Sequence, residues 1–330
     1  MLRWGLAVFC VFAATAAPAA EPPALRDADR IRLAEAFRIA DQLGEEVWPG
    51  WEHAPFGVLL VTDHHEFLIH QNQDHPDFQS LGYDSMLHSF VLVRIRNFST
   101  NLLSTFPALG GQPLVVIGLP ENTNRNSSTW VTTVLHEHFH QLQMSDPSYY
   151  TDVNALNLAR GDDSGQWMLD YPFPYDDPVV REPFDSFSSS LHIALKRNKK
   201  PDFTDRVDAF MMTHGDLEAL LRDDEYRYFS FQLWQEGVAR YVEYRIAELA
   251  GKHNQPTEKF RNLEDYVPFK KVAREMRTRI YHSLNDPSLE EKQRVAFYPL
   301  GAAIAILLDE INPAWKEDYF STKFYLEDYF

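Results

Sequence analysis

Hydrophobic residues recur at helical spacing near the start of the chain and through most of its second half. Over residues 27–47 they fall every three or four positions, which predicts an amphipathic helix that Pro49 and Gly50 end. The same spacing predicts helices over five later stretches, residues 184–197, 204–221, 225–250, 266–284 and 299–311.

Short apolar runs bounded by turn residues lie between the first helix and the later ones. Residues 56–71 predict two strands around a polar turn, and residues 89–98 and 112–120 predict one strand each. Residues 154–184 are rich in Asp, Pro and Gly and predict a long irregular connection. Strands followed by helices indicate an α+β fold with two subdomains, a sheet-containing one over residues 21–150 and a mainly helical one over residues 151–330.

Composition and the N-terminal sequence limit the classes of protein to consider. With 330 residues and 45% hydrophobic content the chain can bury a large core. Residues 1–20 combine Arg3, an apolar run and small residues, which predicts a signal peptide and an exported protein, periplasmic or extracellular. The single cysteine, Cys10, lies inside it, so the mature chain has no disulfide of its own. The net charge of −17 argues against nucleic acid as a partner, and no later apolar run is long enough for a membrane span.

The segment VLHEHFHQLQ, residues 134–143, carries three histidines and one glutamate in five positions. On a helix His136 and His140 lie one turn apart on one face, whereas His138 points to roughly the opposite side. Only the outer pair can therefore bind one metal ion together. With Glu137 the pair forms an H-E-x-x-H pattern, in which two imidazoles suit zinc and a carboxylate stands beside them to act on water at the metal. The pattern also arises by chance on solvated helices, so the rest of the chain has to supply further support.

Other histidines do not form a comparable pattern. His64, His65 and His70 belong to the predicted hairpin, where their spacing fits neither a helix nor a chelate, and we interpret them as turn and strand residues.

A third zinc ligand is predicted in FQLWQEGVARYVEY, residues 231–244. Glu236 lies there among apolar and aromatic residues and needs a partner if it is buried, and zinc is one such partner. The alternative is that Glu236 faces solvent or pairs with Arg240 one turn later. Gly237 costs about 1 kcal/mol in a helix, which indicates a place where two helices approach closely.

These motifs together resemble the gluzincin zinc metallopeptidases, most closely the aminopeptidase N and leukotriene A4 hydrolase branch. H-E-x-x-H is followed by E-G-x-x-x-Y-x-E, which corresponds to Glu236, Gly237, Tyr241 and Glu243. The resemblance implies a zincin-like fold that pairs a sheet-plus-helix subdomain with a helical one, and one zinc ion per chain. It implies the ligands His136, His140 and Glu236, the general base Glu137, and a carboxylate, Glu243, that orients a ligand histidine.

Two further stretches bear on the resemblance. FYPLGAA, residues 297–303, resembles the Y-x-x-G-A stretch of the family, whose tyrosine stabilises the oxyanion, and this implies the same role for Tyr298. GLPEN, residues 118–122, is similar to the exopeptidase motif G-x-M-E-N, but Pro120 replaces methionine, which weakens an assignment of substrate-amine binding to Glu121. The 95 residues 141–235 also form a much longer connection than classical members have.

The sequence therefore predicts a secreted zinc metallopeptidase that hydrolyses peptide or protein substrates, with Glu137 as general base and Tyr298 as oxyanion donor. The strand at 112–120, if it lies at the sheet edge, would pair with an extended peptide. Two alternatives stay open: a zinc hydrolase of a non-peptide amide or ester, and a non-catalytic binding module with a zincin fold. Glu137 argues against the second, since a scaffold has no need of a base.

Overall fold

A computed structural model describes residues 23–71, 75–162, 164–253 and 255–330. The predicted signal peptide, residues 1–20 with Cys10, lies outside these ranges. Over the residues that are described, every helix is too short or too polar to cross a membrane.

The fold is mixed α+β, with a six-stranded sheet in the described part of the chain and a mainly helical remainder. Helix α1 (Asp27–Val47) precedes the strands β1 (Val58–Val61), β2 (His65–Ile69), β3 (Gln79–Asp84), β4 (Ser89–Ile95), β5 (Leu103–Phe106) and β6 (Leu114–Gly118). The helices that follow are α2 (Ser127–Ser145), α3 (Tyr149–Ala155), α4 (Trp167–Asp170), α5 (Pro178–Lys196), α6 (Phe203–Leu220), α7 (Asp223–Gln232), α8 (Val238–His253), α9 (Glu258–Arg261), α10 (Phe269–Asn285), α11 (Leu289–Lys292), α12 (Phe297–Ile311) and α13 (Trp315–Asp318).

The strand order β3-β4-β2-β1-β6-β5 puts β3 and β5 at the two edges of the sheet. Strands β1 and β6 are parallel, and all other neighbours are antiparallel. The strand predicted at 112–120 does not lie at the edge, so the condition for its pairing with a peptide is not met: β5 pairs with β6 on its outer side, and all five β6 residues are buried. Neither edge strand was predicted: β5 has four residues, and β3 is polar and mostly exposed.

The two faces of the sheet are covered differently. Val58, Leu60, Val115 and Ile117 face the helices and join a continuous core that extends through α1, α2, α8 and α12. The opposite face forms a smaller cluster of Leu59, Val61, Leu68, Leu114 and Val116, covered by strand ends and loops. The sheet therefore supports α2 from one side, while helices cover the other side of α2.

Each of the six stretches predicted as helical contains a helix. The helix predicted over 27–47 is α1, and the stretch predicted as one helix over 225–250 is α7, a π turn (Leu233–Gly237) and α8. Residues 154–184 are partly irregular but also contain α4 and the start of α5. Helix α5 begins at Pro178 rather than 184, because Asp177 accepts a hydrogen bond from the Val179 N–H (2.9 Å) and proline fits the first turn.

Candidate metal centre

Helix α2 carries the histidine pair, and its N-terminus is held by two side chains. The Asn126 side chain accepts from the Thr129 N–H (2.9 Å), and Asp265 accepts from the Ser127 N–H (2.8 Å). His136 and His140 are both 5% exposed, and their Nε2 atoms lie 3.2 Å apart. One helical turn thus brings two imidazole nitrogens to one point at the helix surface.

His138 lies on a different side of the helix. Its ring stacks on Phe56 with 3.6 Å between ring centroids, and the Trp51 ring lies 5.4 Å away. Its Nδ1 atom contacts Gln141 Oε1 at 3.0 Å. Burial lowers the pKa of His138 to about 3, so the imidazole is neutral. His138 therefore packs against aromatic side chains and lies apart from the His136–His140 pair.

Glu236 completes a group of three side chains. Its Oε2 atom lies 3.8 Å from His136 Nε2 and 3.7 Å from His140 Nε2, and the three ligand atoms lie within 4.8 Å of one another. Tetrahedral zinc with bonds of about 2.0–2.1 Å places its ligand atoms about 3.3 Å apart, which is close to these separations. The two nitrogens and one carboxylate oxygen therefore fit zinc in both chemistry and spacing.

The charges in the group also favour a cation. Burial opposes charge on Glu236, but the two imidazoles lower the pKa of this carboxyl well below its usual range. Burial likewise opposes charge on His140, but the Glu236 carboxylate raises its pKa to about 9. Positive charge is thus stabilised where the three side chains meet. The alternative pairing of Glu236 with Arg240 is not seen, since Arg240 donates to Glu243.

Glu236 lies inside the π turn, where the Val238 N–H donates to Leu233 O, five residues back. Such single wide turns are frequent at functional sites. The next residue, Gly237, meets Gly301 of α12 so closely that an added Cβ would lie 2.5 Å from the Gly301 Cα. The close approach expected from Gly237 is therefore present, and α12 is the neighbour.

Other side chains contact His136 and its neighbour Glu137. Glu243, seven residues after Glu236, places Oε2 3.8 Å from His136 Nδ1. Glu137 is held from β5, where the Thr105 hydroxyl lies 2.8 Å from the Glu137 backbone oxygen and 2.9 Å from Oε2. Thr105 was missed from sequence because β5 itself gives no recognisable pattern.

Tyr298, in the first turn of α12, borders the same group. Arg294 donates a hydrogen bond to its hydroxyl and lies against its ring, 5.6 Å from the centroid. Burial and the neighbouring Glu236 carboxylate raise the pKa of Tyr298 well above its usual value, so the hydroxyl keeps its proton. Glu121, by contrast, is half exposed and pairs with Arg26 at 2.5 Å. No contact described for Glu121 joins it to the three candidate ligands.

Comparison of the chain with protein-family models, with curated proteins and with solved structures gave no match in any of the three.

Proposed function

We propose that the protein is an exported zinc-dependent metallopeptidase of the gluzincin type, with a zincin-like fold, that hydrolyses peptide bonds in peptide or protein substrates. One observation carries the proposal: His136, His140 and Glu236 bring their ligand atoms within 4.8 Å of one another, and Glu137, next to His136 on the same helix, acts on the charge of His140. The histidines come from one helical turn and the glutamate from a chain segment separated from them by 95 residues, which argues against a chance cluster.

His136, His140 and Glu236 would hold the ion. Zinc bound there would polarise a substrate carbonyl and lower the pKa of a water molecule. Glu137 would accept the proton of the attacking water and deliver it to the leaving amine. Its carboxylate has a fixed partner for this task, since the Thr105 hydroxyl lies 2.9 Å from one oxygen.

Tyr298 would donate a hydrogen bond to the oxygen that becomes negatively charged. Arg294 already occupies the phenol oxygen as a donor, so the phenol proton is directed away from Arg294. The Glu236 carboxylate contributes to the raised pKa of Tyr298, so the phenol lies next to the proposed metal site.

A peptide substrate is favoured over another amide or ester by the position of β5. This strand is at the edge of the sheet, and only β6 pairs with it in the described residues. Through Thr105 it also reaches the proposed base. An extended peptide can form backbone hydrogen bonds with such an edge, whereas a small ester has no backbone to pair.

The test combines metal analysis with hydrolysis of a peptide library. Purified protein should contain about one zinc per chain and cleave peptides in a chelator-sensitive reaction. Glu137→Gln should keep zinc and fold but lose roughly 10²–10⁴-fold in kcat, because the amide cannot accept the proton. Glu46→Gln, the same change at an exposed residue of α1, is the matched control and should keep full activity.

Three results would contradict the general base, the peptide substrate or the catalytic activity. Near-normal turnover by Glu137→Gln would remove the base from the mechanism. Chelator-sensitive cleavage of esters or small amides without cleavage of any peptide would favour the alternative zinc hydrolase. Zinc bound without turnover of either class would leave a binding module.

A further inference from the structure

We propose that Gln143 is a positioning residue that fixes which nitrogen of His140 carries a proton and ties that histidine to the π turn that holds Glu236. The inference rests on the proposed metal site. Gln143 lies on α2 three residues after His140, and it is 0% exposed. Its Oε1 atom lies 2.6 Å from His140 Nδ1, while its Nε2 atom reaches the π turn.

The backbone of the π turn determines the orientation of the Gln143 amide. Nε2 lies 3.1 Å from Gln235 O and 3.3 Å from Trp234 O. Backbone carbonyls only accept hydrogen bonds, so the amide NH₂ must face them and Oε1 must face His140. An amide oxygen also only accepts, so His140 Nδ1 must carry the proton. In a neutral imidazole this leaves Nε2 unprotonated, with its lone pair directed at the point where the three ligand atoms meet.

A competing donor makes this control necessary. Gln235 Nε2 lies 3.2 Å from the same His140 Nδ1, and an amide NH₂ there would favour an unprotonated Nδ1. That tautomer places the proton on Nε2, where it blocks metal binding. Gln143 Oε1 lies 2.6 Å from His140 Nδ1, which is 0.6 Å closer than Gln235 Nε2 at 3.2 Å. The Gln235 amide oxygen is occupied by the Tyr149 hydroxyl, which donates to it at 3.0 Å. Gln143 therefore sets the outcome of a competition at one nitrogen.

The π turn also leaves the Trp234 carbonyl without its usual helical donor. Because the Val238 N–H donates to Leu233 O, it does not donate to Trp234 O, its acceptor in a regular α-helix. Trp234 O instead accepts from the Tyr319 hydroxyl (2.7 Å) and lies 3.3 Å from Gln143 Nε2. A buried carbonyl needs such partners. Gln143 thus links the π turn that contains Glu236 directly to the ring of His140, the second proposed ligand.

The test uses two buried glutamines of the same helix. Gln143→Met removes both the acceptor and the donor at similar volume. Gln141→Met is the matched control, because Gln141 is also 0% exposed but bonds to His138 and to the carbonyls of Gly57 and Pro113. Zinc affinity is measured by competition with a chelator. The proton on His140 Nδ1 is followed by NMR of ¹⁵N-histidine-labelled protein, both zinc-loaded and metal-free at a pH where the imidazole is neutral.

We expect wild type and Gln141→Met to carry the proton on Nδ1 and to bind zinc alike. Gln143→Met should move the proton to Nε2 in the metal-free protein and weaken zinc binding about 10–100-fold. If Gln143→Met does not fold, Gln235→Met decides instead, since removal of the competing donor should keep Nδ1 protonated and zinc affinity undiminished. A wild-type Nε2 proton, an unchanged tautomer and affinity in Gln143→Met, or equal losses in both α2 variants would overturn the inference. A wild type that binds no zinc removes the proposed function, whereas the metal-free tautomer still decides the role of Gln143.

Discussion

The contact between Gly237 and Gly301 fixes where Glu236 stands, and Gly237→Ala tests this directly. An alanine Cβ at 237 would lie 2.5 Å from the Gly301 Cα, and one at 301 would lie 2.4 Å from Leu233 O. Both obstacles are backbone atoms, so no side-chain rotation relieves them. An ordinary contact begins at 3.4 Å, so α12 and the π turn must separate by roughly 1 Å.

Two effects of opposite sign decide the magnitude. Replacing glycine by alanine inside an open helix stabilises a protein by about 1 kcal/mol. Overpacking a close contact costs about 1–3 kcal/mol. We therefore expect Gly237→Ala to lower the free energy of unfolding by up to about 2 kcal/mol. Since the displaced backbone is next to Glu236, zinc affinity should fall at least tenfold, in the range seen when groups that support metal ligands are changed.

The assay measures the free energy of unfolding by urea denaturation and zinc affinity by chelator competition. Gly215→Ala is the matched control, because Gly215 lies within helix α6 and an added Cβ there meets nothing within 4 Å. The control should gain about 1 kcal/mol and bind zinc normally. If Gly237→Ala gains stability like the control and keeps its zinc affinity, the close crossing does not position Glu236.

Three further predictions concern single groups. Tyr298→Phe should lower kcat by roughly 10²–10³ at nearly unchanged KM and zinc content, and a normal kcat would leave this residue a packing role. His138→Ala should keep about one zinc per chain whereas His140→Ala should lose it, and equal zinc loss in both would contradict the assignment of the pair. Burial raises the pKa of Glu327 from 4.5 to about 7. Between these two pH values the native state binds more protons than the unfolded state. The contribution of this carboxyl to stability therefore falls as pH rises, by up to about 3 kcal/mol. His214 lies 3.6 Å away, and burial lowers its pKa from 6.5 to about 4, so it has the opposite effect on stability over pH 4 to 6.5. The measurement is therefore the difference in the free energy of unfolding between wild type and Glu327→Gln as a function of pH. Parallel curves for the two proteins would refute the prediction.

The sequence predicts what depends on spacing along one element. Residues four apart place His136 and His140 on one face of α2, and residues seven apart place Glu236 and Glu243 on one side of their helix. The two carboxylates accordingly approach opposite nitrogens of the His136 ring, at 3.8 Å each. The α1 boundaries likewise follow from periodicity and from the proline that ends it.

What the sequence does not predict depends on contacts between distant elements. The edge strand β5 has four residues without a clear alternation, so neither its place outside β6 nor the contact of Thr105 with Glu137 is readable in advance. The π turn is equally hidden, since residues 225–250 have one continuous helical pattern. Nothing about glutamine as a residue type marks Gln143 in the sequence. Its proposed role depends on the backbone carbonyls of the π turn that its side chain contacts.

The long connection between His140 and Glu236 does not weaken the case for one site. Closing a flexible loop costs only about 0.6 kcal/mol more for each doubling of its length, and this connection is mostly folded into helices α3 to α7. The relative position of the proposed ligands is set instead by direct packing, because the Gln143 side chain of α2 bonds to the π turn and the Gly237–Gly301 contact fixes that turn against α12. Shortening an exposed part of the connection that contacts neither α2 nor the π turn should therefore leave zinc affinity unchanged. The same deletion would abolish zinc binding if the connection itself held Glu236 in place.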